Sequence, residues 1–388
     1  MSCYSRDDEE RIRMQARVRA WGRAGLLDAD QVGTLDARLR TTLRRTNVFL
    51  RAVLALFTAL IVAAAILLVF VSFSITGDAA TTITLVIAAI VCGALAEYLI
   101  ASFHVYRFGV EETLVVAAAL LIVIAVDQEG RAIALPHYRV LTTLVASASG
   151  FAAYRRFGLV YAAVAAMICA AVIPFSLEVG EAAQRMVAAA ILFATFVRAR
   201  TLRRRHGDDF PGDDYSILQA AAGAGMYVSL NLHLFGVLGG TSPSAVVSWL
   251  YWTTYIVTWL LPVAGLTAAV RDRDRSLLTV ALASALATLA TNKPYLGWPH
   301  QTWDPILLGL LLVAVATVLR RWLVRGPNGQ RSGFTPERIF ESDRDVLSAI
   351  ATASAAWPRR EPHVSGGVEQ PSQFEGGRSG GGGGGAAY

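Results

Sequence analysis

Residues 52–73 hold no charged side chain, and Thr58 and Ser72 are the only hydroxyls among them. A bilayer core is crossed by about 20 mostly apolar residues, so this run by itself points to a spanning helix. Nine further stretches qualify or nearly qualify: 80–102, 108–126, 140–154, 157–177, 183–199, 215–237, 245–270, 276–291 and 305–324. The fourth, sixth and ninth of the ten are short, so incomplete crossing there would leave eight or nine. Only Arg155 and Arg156 divide the fourth from the fifth, which makes that pair a tight helical hairpin.

Charge is scarce and confined to the gaps. Charged residues make up 16% of the chain, against about 25% in soluble domains. Basic residues sit at the ends of apolar runs and form no contiguous patch interleaved with aromatics, which excludes a nucleic-acid binder. Cys3, Cys92 and Cys169 have neither disulfide nor metal-motif spacing, which excludes a secreted disulfide scaffold. Residues 1–47 are polar throughout and carry no cleavable-signal pattern. The expected fold class is all-α, a polytopic membrane helical bundle.

Counting Lys and Arg fixes the expected orientation. With ten spans both termini share a side, and 31 of the 35 basic residues fall on it. Arg131, Arg139, Arg185 and Lys293 are the other four. The positive-inside rule then makes both termini cytoplasmic. Trp249, Trp252, Trp298 and Trp303 at the opposite face, and Trp322 at the cytoplasmic exit, fall where amphipathic rings anchor to the interface.

The organisation expected is a helical hairpin over 1–48, a transmembrane bundle over 49–325, a segment over 326–357 with one helix near 336–356, and a disordered Gly-rich tail over 358–388. In the hairpin, Met14, Val18 and Trp21 recur with helical spacing, and Gly25 lies where that helix would stop. Asp28 followed by Gln31 is a capping-box pattern. Val32, Leu35 and Leu39 form a stripe expected to pack on Trp21. Residues Trp21, Gly25, Leu26, Leu27 and Gln31 fit the pattern W-x-x-x-G-L-[IL]-x-x-x-Q. In this the chain resembles a family of bacterial polytopic membrane proteins of unknown function that open on such a cytoplasmic preface. The resemblance implies a bacterial plasma membrane and brings no catalytic residue with it.

Ionisable and polar groups inside spans are the natural places to look for function, because desolvating them is costly. Glu97, near the cytoplasmic end of the second span, could couple to a proton or cation, or could snorkel to the interface or pair with Arg107. Glu111 and Glu112 open the third span, where acids also suit a helix N-terminus, and they could cluster with Glu97 and Arg107. Gln219 interrupts the seventh span beside Gly223 and Gly225. Asn231 and His233 read as interfacial, and Trp252, Tyr255 and Trp259 as an aromatic belt more than a ligand platform. The stretch from Arg203 to Asp214 reads as a topology-fixing basic knot followed by a solvated acidic turn. No catalytic motif, metal-binding spacing or cofactor fingerprint occurs, so neither an enzyme nor a cofactor is expected.

Two functions fit. One is secondary transport of a small solute: ten spans divide into five plus five, as in carriers built from inverted repeats. The drug/metabolite transporter superfamily is similar in span number and orientation, although its motifs are absent. The other is a non-transporting scaffold or sensor that engages a cytoplasmic protein partner through residues 1–48. The central thirds of the spans are almost free of charge, which suits a dry core or a carrier of apolar molecules.

Overall fold

A computed structural model of the chain describes residues 5–23, 25–41, 43–44, 46–206, 211–234, 248–298 and 303–326. Every regular element among them is helical, with one isolated parallel bridge between Arg44 and Val105. The expected helix near 336–356 and the Gly-rich tail lie outside the described residues.

The hairpin consists of α1 (Arg6–Arg23) and α2 (Ala29–Arg38). Gln31 Oε1 accepts from the Asp28 backbone N–H at 3.1 Å, the return half of the capping box. The two helices meet at Gly22, where an added Cβ would stand 2.7 Å from Val32 Cγ2. Val32 therefore packs on Gly22, and Trp21, expected to receive it, is 42% exposed. Gln15 is buried and donates to the Leu39 carbonyl at 2.9 Å, satisfying an orphan acceptor at the end of α2. Arg19 grips both carboxylate oxygens of Asp36, at 3.2 and 3.0 Å.

The helices that follow among the described residues include α3 (Val48–Ser72), α4 (Asp78–Phe103), α5 (Val110–Ala132), α6 (Tyr138–Phe157), α7 (Val160–Val172), α8 (Glu181–Arg205), α9 (Pro211–Leu230), α10 (Ser248–Asp272), α11 (Arg275–Tyr295) and α12 (Asp304–Val324). A 3₁₀ turn, Ile173–Ser176, extends α7. By length and composition, four stretches among the described residues could cross a membrane: Phe49–Ser72, Asp78–Phe103, Glu181–Arg205 and Trp249–Asp272. Val160–Ser176 is a shorter apolar helix.

The apolar surface explains why such a chain needs a membrane. In α3, Leu56, Phe57, Ile61, Leu67 and Val71 are each about 60% exposed or more. Water would disfavour so continuous an apolar face, and soluble monomers rarely show one beyond a few hundred Å². Helix α12 likewise turns Ile306, Leu310, Val313 and Val318 outward.

Neighbouring helices pair as antiparallel hairpins, α4 with α5, α6 with α7, α8 with α9 and α10 with α11. One apolar core joins Leu85, Ala89 and Ala96 of α4 to Leu114, Val115 and Leu121 of α5, with Val62 and Ile66 of α3 against it. A second gathers Met167, Leu192 and Ala222 from α7, α8 and α9. Close approach depends on small residues: a Cβ on Gly150 would sit 3.0 Å from the Ala162 carbonyl oxygen. Gly109, at φ +103°, begins α5 with its Cα so near the Arg51 carbonyl that a Cβ would lie 2.3 Å from it. No other residue fits there.

The hairpin is tied to the bundle. Ile12 and Leu43 pack on buried Ile100 and Tyr106. The Arg44 N–H donates to the His104 carbonyl at 2.9 Å, and the Tyr106 N–H to the Arg44 carbonyl at 3.0 Å.

Candidate functional site

The expected site residues separate into different places. Glu97 is half exposed and accepts from Arg156 Nε at 2.8 Å. It thus pairs with Arg156 of α6, where Arg107 was the pairing partner expected. Glu112 accepts from Arg51 Nε and Nη2 at 2.6 and 2.5 Å. Glu111 is buried, and its Oε1 accepts from the Phe108 N–H at 2.6 Å. Its Oε2 has no hydrogen-bond partner among the described residues. The polar cluster expected from Glu97, Arg107, Glu111 and Glu112 is therefore split: Glu97 and Glu112 pair with different arginines, and Glu111 is held by a backbone N–H. Gln219 is fully buried, and neither of its amide atoms has a partner among the described residues. The tryptophans expected as anchors, Trp249, Trp252, Trp298, Trp303 and Trp322, all present large exposed faces.

A buried polar network lies at the end of the bundle away from the hairpin. Asn231 interrupts the helix after α9 and is completely buried, although its position in the sequence reads as interfacial. Its Nδ2 donates to Tyr227 Oη at 2.9 Å and Thr291 Oγ1 at 3.0 Å, and its Oδ1 accepts from the Leu234 N–H at 3.0 Å. Thr288 Oγ1 lies 2.9 Å from Tyr227 Oη and 2.9 Å from the Thr258 carbonyl. Tyr295 Oη accepts from the Leu232 N–H at 2.8 Å, and Tyr255 Oη donates to Asn292 at 2.9 Å. These bonds lock α9, α10 and α11 together, and their well-paired members are structural.

At the opposite end the loop between α10 and α11 is clamped by α8. Asp272 accepts from Arg200 at 2.7 Å and Arg204 at 2.9 Å. Asp274 is buried, pairs with Arg203, and accepts from Ser216 Oγ at 2.8 Å and the Ser276 N–H at 2.9 Å. The basic knot read from the sequence is thus largely a set of ion pairs.

Between these structures lies a cavity of about 940 Å³ walled by α6, α7, α8 and α9, with α1 at its mouth. None of Glu97, Glu111, Glu112 or Gln219 lines it. Its floor is built of small and apolar side chains, chiefly Ala163, Ala166, Met167, Ala170 and Ala194. The hydroxyls there are already engaged: Ser147 donates to the Ala166 carbonyl at 2.9 Å, and Thr195 to the Ile191 carbonyl at 2.9 Å. Polarity is gathered at the mouth, in Glu9, Tyr154, Arg155, Arg198, His206 and Asp214. From Ser147 to Arg155 is eight helical residues, a depth of about 12 Å.

Local chemistry sets the mouth. His206 closes α8, and its Nδ1 lies 2.9 Å from the Leu202 carbonyl. A carbonyl only accepts, so Nδ1 carries a proton and Nε2 is the atom that can answer a ligand. The His206 ring also packs on Tyr215 at 5.9 Å. Glu9 Oε1 approaches the α6–α7 turn, lying 3.9 Å from where a Cβ on Gly158 would be. Burial pushes the Glu9 carboxyl up to about 7; Arg107 opposes that rise and Asp214 adds to it. Among the described residues, Arg155 and Arg198 form no ion pair. Arg155 instead lies 5.9 Å from the Phe151 ring. No group of three or more metal-ligating side chains converges among the described residues.

The sequence held a signal for this site that is visible in retrospect. Ala163, Ala166 and Ala170 recur at three- and four-residue spacing and Ala194 faces them, so four helices meet with little side-chain volume. Compared with protein-family models, with curated proteins and with solved structures, the chain matches none.

Proposed function

We propose that this chain is a multi-pass integral membrane protein that moves a small solute by secondary transport, with the cavity between α6, α7, α8 and α9 as its binding site. The observation that carries the reading is the cavity's grading, from charged and phenolic groups at one end to a floor of alanines and Met167. Ligand sites are concave, mostly apolar and furnished with a few polar groups that orient the ligand, and about 300–1,000 Å³ is their usual size. The proposal takes ten spans with both termini cytoplasmic, for which the distribution of Lys and Arg is the support. It takes a bacterial plasma membrane as the location, in keeping with the family resemblance of residues 21–31.

The test is uptake into proteoliposomes of radiolabelled metabolites, each measured beside Ala194→Trp. Ala194 is exposed on the cavity wall, so the larger ring fills the site without entering a packed core. Transport predicts saturable uptake of at least one solute that this variant abolishes. Uptake that is absent, or insensitive to the variant, counts against it.

A second reading draws on one specific observation, the seating of α1 against the bundle with Ile12 in a buried cluster and Glu9 in the cavity mouth. A scaffold or sensor would use that hairpin to report cavity occupancy to a cytoplasmic protein. It predicts ligand-dependent release of residues 1–48 with no solute flux.

A further inference from the structure

We infer that the cavity takes a single-chain amphiphile with an anionic head group, a phosphate or carboxylate held by Arg155 and Arg198, its alkyl tail lying on the Ala163, Ala166, Met167 and Ala170 floor. This rests on the reading of the cavity as the solute site and names the class of solute.

The argument is one of unspent charge. Several neighbouring arginines at this end of the bundle already have carboxylates: Arg51 has Glu112, Arg156 has Glu97, Arg200 and Arg204 share Asp272, and Arg203 has Asp274. Arg155 and Arg198 both reach the cavity, and neither is ion-paired among the described residues. Two carboxylates also stand at the mouth, Glu9 and Asp214. Asp214 offsets one of the two guanidinium charges, and the raised affinity of Glu9 for its proton leaves it partly neutral near pH 7. The charge available to a ligand is therefore positive. Guanidinium groups bind phosphate and carboxylate through paired N–H donors.

The floor sets the rest of the ligand. With the Ser147 and Thr195 hydroxyls satisfied by backbone carbonyls, nothing polar there awaits a partner. A sugar or a free amino acid would leave its own polar groups unpaired there, at a cost of about 1–3 kcal/mol each. An alkyl chain loses nothing and gains its transfer from water. The depth of about 12 Å below the arginines suits one chain lying along the helices.

The experiment measures equilibrium binding to the full chain in nanodiscs with radiolabelled dodecyl phosphate. Competitors are dodecanoate, a lauroyl glycerol phosphate, neutral lauroyl glycerol, dodecylammonium and inorganic phosphate. Saturable binding is expected, competed by the three anionic amphiphiles and not by the neutral, cationic or tail-less compounds. A lauroyl glycerol phosphate that competes best points to a membrane lipid as the source, and dodecyl phosphate or dodecanoate that competes best points to a free amphiphile. Arg155→Gln and Arg198→Gln should each weaken binding about tenfold, and Ala194→Trp should abolish it, with each variant's thermal midpoint unchanged. Equal competition by the neutral lipid, full competition by inorganic phosphate, or arginine variants that bind like the parent would overturn the assignment. Failure here is separable from failure of transport. Flux of a different solute blocked by Ala194→Trp keeps transport and removes the amphiphile, whereas binding without flux does the reverse.

Discussion

Arg51 and Glu112, 61 residues apart, meet through two parallel hydrogen bonds of 2.6 and 2.5 Å that join the start of α3 to the start of α5. Beside them, Gly109 lets the α5 backbone approach the Arg51 carbonyl closely. Sequence and packing thus cooperate to hold α3 against the bundle at a helix that otherwise buries little of its surface.

Glu112→Ala should therefore be costly. Removing one partner of a buried pair destabilises by about 3–5 kcal/mol. Arg51 keeps about a third of its side chain exposed, so a loss of roughly 2–3 kcal/mol is expected after discounting for solvent screening. The midpoint of SDS-induced unfolding in mixed micelles measures it, and Arg51→Gln in the same chain should recover part of the loss.

Asp274 should be the most sensitive acid at the α8 clamp. It is 1% exposed and serves Arg203, Ser216 and the first backbone N–H groups of α11 together. Asp274→Ala removes both a helix cap and a charge partner, for an expected loss of about 3–5 kcal/mol. Ser216→Ala deletes one neutral donor and should cost about 1 kcal/mol. Equal effects of the two substitutions on the SDS midpoint would contradict this ordering.

Asn231 holds the break after α9 in place. Asn231→Leu removes one hydrogen bond each from Tyr227 and Thr291, which keep Thr288 and the Ala287 carbonyl, and takes the acceptor from the Leu234 N–H. A loss of about 1–3 kcal/mol is expected, with faster amide exchange where α9 meets α11. Unchanged exchange there would show that the network does not fasten these helices.

Docking of α1 should depend on pH through Glu9. Its carboxyl titrates at about 7 in the folded protein, against 4.5 for an ordinary glutamate. The folded state therefore binds the extra proton, and the stability of docking falls as pH rises from 4.5 to about 7 and is level above that. Arg107, Asp214 and, across the mouth, His206, Arg155 and Arg198 are the charged and titratable groups around it. Hydrogen exchange of α1, corrected for intrinsic rates, should be slower at about pH 5.5 than at about pH 8. Glu9→Gln should flatten that difference, and a difference that persists would assign the pH response to another group.

The helical class and the apolar runs were legible because a bilayer demands length and charge exclusion, and 52–73 or 80–102 satisfy both without reference to any other residue. Capping at Asp28 was equally local. The cavity was not legible, because its residues are unremarkable one at a time. Arg155 reads as a hairpin divider and Ala166 as packing, and only the meeting of four helices makes them one surface. Glu97 drew attention as a charge inside a span, yet its partner is Arg156, 59 residues on. Pairings at that separation are set by helix order in space, which periodicity does not encode. Gln219, which drew attention by interrupting a span, is buried and unpartnered among the described residues and lies off the cavity.

The most direct measurement is two-sided accessibility of the cavity wall. Cys3, Cys92 and Cys169 are replaced by serine, and Ala194→Cys is introduced midway along α8. A membrane-impermeant thiol reagent is then applied to right-side-out and to inverted vesicles. A transporter that opens its site to each face in turn predicts labelling from both sides, slowed by bound solute. Labelling from one side alone would contradict transport through this cavity.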